Sequence, residues 1–97
     1  MIAESKNYPL VSQPQQGGFL FNYNVQEVER EGEKFYRYDS VSVKNMTREE
    51  LVPAIIRTRY TMNDEFALNA LDRTDPDYVA YREFVNWAKG IVDAALQ

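Results

Sequence analysis

With neither histidine nor cysteine among its 97 residues, this chain can do chemistry only through carboxylates, Lys, Arg, Tyr, Ser and Thr. That removes the usual general base near neutral pH, the thiol nucleophile and the commonest ligands of zinc, iron and copper. Carboxylate pairs are the first candidates: Glu49 with Glu50, Asp64 with Glu65, and Asp75 with Asp77 behind Asp72. General acid–base work on two carboxylates needs them in different environments. These lie instead where helices are predicted to start or end. Acids there cap backbone N–H groups and complement the dipole, so capping accounts for them better. The run Asp72-Arg73-Thr74-Asp75-Pro76-Asp77 holds three carboxylates in six residues. It lacks the spacing, central glycine and closing glutamate of an EF-hand loop. Arg57 and Arg59, with Arg48 further back, are candidates for a phosphate or an acidic partner. Residues two apart point to different sides of a helix, so they read as solvated charges or as partners of acids such as Asp64. Gly17-Gly18 is followed by a strand pattern, not by the helix a phosphate cradle requires. No phosphate loop, nucleophile elbow or dinucleotide fingerprint is present. No catalytic residue, metal ligand or cofactor is assigned, and no small-molecule substrate is indicated. The chain reads as non-enzymatic.

The elements that position these residues divide the chain in two. Residues 1–18, broken by Pro9, Pro14 and Gly17-Gly18, read as an extended arm. Residues 19–30 alternate Phe19, Phe21, Tyr23 and Val25 with Leu20, Asn22, Asn24 and Gln26, and residues 34–43 are rich in strand formers. Gly32, within Arg30-Glu31-Gly32-Glu33, suits a tight turn, so 19–43 is expected to be a hairpin. The apolar parity slips between Val25 and Val28, as a bulge, or a distal half exposed on both faces, would make it do. Two strands alone are marginal in water, so the arm or a second copy must add a strand, or a helix must cover them.

From Thr47 the period becomes helical. Thr47-Arg48-Glu49-Glu50 has the form of a capping box and opens a helix over about 48–60, with Pro53 near its start. A second helix is expected over about 62–72, capped by Thr61 or Asn63, with Met62, Phe66, Ala67, Ala70 and Leu71 as its apolar stripe. Asp75-Pro76-Asp77 opens a third over about 76–95. Its broad stripe runs through Tyr78, Tyr81, Phe84, Val85, Ala88, Ile91, Val92 and Ala95, with Trp87 at the flank. The expected fold is therefore α+β: one domain over 19–97, an N-terminal arm and an antiparallel hairpin packed with three helices.

Composition bounds the partners. Residues 1–46 carry six acids and five bases, and residues 47–97 nine acids and six bases, for a net charge of −4. Neither half is basic enough to track phosphates, so nucleic acid is an unlikely partner. No membrane partner is expected, since no run reaches the ~18 apolar residues of a span, and the start does not read as a signal peptide. Asn45-Met46-Thr47 matches a glycosylation sequon by coincidence. The hairpin aromatics exceed what one small helical layer must cover. Phe19, Phe21, Tyr23, Tyr36 and Tyr38 are accordingly the candidate surface for a protein partner or for self-association.

Residues 38–43, then Glu49 through Arg57, Tyr60 through Leu68 and Tyr78 through Lys89, carry a resemblance. Over about residues 36–90 the chain resembles small uncharacterised proteins of phages and prophages of Bacteroides-like gut bacteria. Thr61 stands where those proteins commonly have serine. The shared residues are capping and packing residues, so the resemblance carries no catalytic site. It implies a phage accessory or structural protein expressed in the bacterial cytoplasm, with incorporation into the virion an open branch. The alternative is a small regulatory nucleic-acid binder using the second and third helices as a helix-turn-helix. The acids at their joint and the net charge count against it.

Overall fold

The computed structural model describes residues 2–97; Met1, the first residue of the expected arm, lies outside the described residues. The fold is α+β. Four antiparallel strands, β1 (Ile2–Ser5), β2 (Ser12–Gln15), β3 (Gly18–Arg30) and β4 (Glu33–Val43), lie in the order β1-β4-β3-β2. Helices α1 (Arg48–Arg57), α2 (Met62–Asn69) and α3 (Pro76–Ala95) follow.

The hairpin closes on Glu31 and Gly32, both at positive φ, between the paired residues Arg30 and Glu33. This is the two-residue turn whose twist matches that of the strands. Pairing runs from Phe19↔Val43 to Tyr23↔Asp39 and resumes at Gln26↔Arg37, so β3 holds one extra residue, with Asn24 at φ +55°. That bulge moves Val28 onto the face of Phe21 and Tyr23, which is the parity slip visible in the sequence. The stretch read as an arm supplies both edge strands. β1 pairs with β4 through Ile2↔Asp39, and β2 pairs with β3 through Ser12↔Phe21. The crossing between them is tied to the sheet face away from the helices. The Asn22 side chain donates to the Leu10 carbonyl (2.7 Å), the Ser40 hydroxyl donates to Asn22 Oδ1 (2.6 Å), and Tyr8 meets Tyr36 edge-on at 5.2 Å.

The core lies between the other face and the helices. It joins Phe21, Tyr23 and Val41 to Leu51, Val52, Ile55 and Ile56 of α1 and to Tyr81, Val85, Ala88 and Val92 of α3. Between Asn24 and Asp39 no hairpin residue belongs to this core. The ribbon beyond the bulge lengthens the molecule to 47 × 34 × 24 Å, and the radius of gyration is 15.4 Å against about 13 Å for a compact chain of ~100 residues.

Three helix ends differ from expectation. Thr47 makes no side-chain cap; Glu50 instead accepts from the Lys44 backbone N–H (3.2 Å), so the predicted box is not formed. The box forms at Thr61 and Asp64, whose side chains and backbone N–H groups bond reciprocally at 3.0 and 2.9 Å. α1 stops at Arg57, short of residue 60. Thr58 donates its hydroxyl to the Ile55 carbonyl (2.6 Å), and the chain then turns Tyr60 inward against Tyr81 and Phe84. α2 stops at Asn69, short of residue 72, and a turn held by Asp72 on Thr74 follows. Pro53 sits inside α1 on its exposed side, and the helix runs through it. α3 keeps its predicted bounds, capped by Asp75 on the Asp77 N–H (2.9 Å).

Candidate functional site

The five candidate aromatics of the hairpin do not form one surface. Phe21 is fully buried and Tyr23 is 6% exposed. They stack on each other at 5.4 Å, and Tyr23 meets Trp87 edge-on at 6.2 Å. Both are therefore core residues, which corrects their reading as surface. Phe19, opposite Val43, lies partly buried on the same face. Tyr36 and Tyr38 are partly buried on the opposite face, beside Ser5 and Ala3 of β1. α3 brings Trp87 to the sheet, and that large side chain helps to cover Tyr23, which a sequence count leaves without cover.

Burial has an electrostatic consequence at Tyr23. Loss of solvent, then the Asp39 carboxylate, push its phenol up to about 12, while the Thr58 hydroxyl acts the other way. A phenol is neutral when protonated, so the fold resists its ionisation. The resulting stability is complete below the unfolded value near 10 and is lost as pH rises through 12. Two pH units correspond to about 2–3 kcal/mol. Urea midpoints of the wild type should therefore fall more steeply between pH 10 and 12 than those of Tyr23→Phe; parallel curves would remove Tyr23 as the source.

The charged candidates serve the scaffold. Arg57 Nη2 meets Glu65 at 3.1 Å, the other Glu65 oxygen accepts from the Tyr81 hydroxyl (3.1 Å), and Arg57 also reaches the Tyr60 carbonyl. One carboxylate thus joins the end of α1, α2 and α3; the expected partner of this arginine, Asp64, is engaged in its capping box. Arg48 binds Asp93 at 2.7 Å and ties the start of α1 to the end of α3. The Arg48 hydrogen bond holds the Asp93 carboxyl below its ordinary range. Bonds from Thr61 do the same for Asp64, bonds from Thr74 for Asp72, and bonds from Asn45 and Lys44 for Glu50. These are carboxylates kept ionised at turns and caps. Among the described residues no group of three or more acids is placed to hold a metal ion, and no helix is long and apolar enough to cross a membrane.

Two surfaces stand out instead, both on the helical half. The first is α2. Glu65 and Leu68 face the body, so at 100° per residue Phe66, Ala67 and Ala70 turn away from it. Phe66 is 85% exposed and Met62 72%. The stripe expected to enter the core is thus the outer face of a helix with no buried residue. The second is a groove of about 430 Å³ along α3, lined by Arg59, Ala80, Glu83, Phe84 and Trp87.

No known protein family, curated protein or solved structure matches this chain. The functional reading rests on these surfaces and on the residues that build them. The period placed Phe66 in an apolar stripe but carried no signal that the stripe faces outward. The stacking of Arg59 on Phe84 carried none either, because that ring comes from α3, distant in sequence.

Proposed function

We propose that this protein is a non-enzymatic accessory or structural protein of a phage or prophage that acts through protein–protein contacts made by its helical half. The observation that carries the contact is the outward face of α2. Phe66 and Met62 stand side by side, four residues apart, and both are largely in water. Burying such side chains against a partner gains about 1.5–3 kcal/mol each, while leaving them exposed does nothing for the monomer. The phage setting is supported by the resemblance over about residues 36–90, and by nothing in the geometry.

The test is a double substitution, Met62→Ser with Phe66→Ser. Neither side chain is in the core, so the unfolding midpoint should stay within about 0.5 kcal/mol of wild type. Association should be lost, read by sedimentation of the purified chain and by its recovery with particles purified from an induced host. Association that survives the double substitution would sink α2 as the contact.

A further inference from the structure

The groove on α3 has a composition that names its occupant. Ala80, Glu83, Phe84 and Trp87 recur at helical spacing on one side of α3, and Arg59 reaches over them from the end of α1. The Arg59 guanidinium carbon lies 5.2 Å from the centre of the Phe84 ring and 5.6 Å from that of Tyr60. Phe84 in turn lies 5.6 Å from Trp87, which is 38% exposed. Among the described residues Arg59 makes no ion pair, unlike Arg30, Arg37, Arg48 and Arg57.

Ring contact occupies the face of a guanidinium and leaves its in-plane N–H donors for another group. It also holds the side chain in one geometry, which reduces the entropy lost when a planar acceptor binds. The acceptor that suits such a fork is a carboxylate, and the shelf beside it, Phe84 and Trp87, suits an apolar or aromatic side chain. Glu83 on the same groove admits one negative charge but opposes several. With a net charge of −4, this disfavours a nucleic-acid strand, which brings a phosphate at every nucleotide.

We propose that this groove binds a short segment of a partner protein in which one aspartate or glutamate adjoins a large apolar side chain, the carboxylate on Arg59 and the apolar group on Phe84 and Trp87. The proposal rests on the reading of the chain as a protein-contact module and names the chemistry of one contact.

Trp87 is the sole tryptophan of the sequence, so its fluorescence reports the groove directly. The probe is a capped hexapeptide with one aspartate beside a phenylalanine, titrated into the full chain. A saturable change in Trp87 emission below about 1 mM is expected. It should weaken about tenfold or more in Arg59→Gln, and equally in the wild type when the peptide aspartate is replaced by asparagine. Glu83→Gln, which keeps Arg59 and its stacking, should strengthen it. Overturning results are no response in the wild type, an equal response to the asparagine peptide, an equal response to inorganic phosphate alone, or a stronger response to a short oligothymidine. Phe66→Ser should leave the titration unchanged. A response at Trp87 together with association that survives loss of Met62 and Phe66 keeps the groove and discards α2 as the contact; the reverse pair of results discards the groove alone.

Discussion

Phe21→Ala should lower unfolding stability by about 3–5 kcal/mol, read as a shift of the urea midpoint at constant slope. Domains of this size have roughly 5–10 kcal/mol in all, so a large fraction of the chains would be unfolded on mild warming. The size of the loss follows from position. Phe21 is fully buried at the middle of the core, opposite Val41 on β4, stacked on Tyr23 and facing the helices. Its removal leaves a cavity that the sheet on one side and α1 and α3 on the other close only partly. A loss under about 1 kcal/mol would mean that the helices do not cover this face. Truncation of Tyr36, partly buried on the other face under Tyr8, should cost visibly less. The ratio of the two effects measures which sheet face is the core.

That comparison shows where sequence reading reached and where it stopped. Local rules worked where one signal acted alone. Asp75-Pro76-Asp77 marked the start of α3, and Gly32 marked the hairpin turn. The parity slip before Val28 became the bulge at Asn24. Local rules failed where two partners competed for one group. Glu50 has the right spacing to cap with Thr47, but the turn at Lys44 and Asn45 takes its carboxylate. The edge strands were illegible because four residues carry too little alternation to register, and β2 contains Pro14. That proline is acceptable only because β2 is an edge strand, where an absent N–H need not break a ladder. The exposed face of α2 was hidden by the opposite error. Period alone says that a stripe exists, and only the anchoring of Glu65 to Arg57 and Tyr81 decides which way it points. The surfaces argued above are tertiary for the same reason. Arg59, Phe84 and Trp87 meet because α1 and α3 are joined at both ends, by Arg48 on Asp93 and by Arg57 through Glu65 to Tyr81.

Gly18→Ala is the second large effect, and it tests how the sheet hands the chain to α1. Replacing glycine by alanine where the backbone permits it usually stabilises by about 0.4–1 kcal/mol, because the unfolded chain loses freedom. Gly90, in α3 with open space around it, should behave that way. Gly18 should not, although its backbone is ordinary. A methyl group there would run into the Val43 carbonyl oxygen and stand 3.1 Å from the Lys44 Cα. Neither atom can swing aside, since both belong to the backbone. Val43 is fixed by its pairing with Phe19, and Lys44 by the bond from its N–H to Glu50. Relief must come from moving residues 43–44, and α1 with them, away from β3. The expected cost is about 1–3 kcal/mol, opposite in sign to Gly90→Ala in the same denaturation assay. Two alanines with the same sign would show that β3 and the Val43–Lys44 backbone do not approach this closely. The segment leading into α1 would then be free to shift, and the end of α1 with Arg59 could not hold a fixed groove against α3.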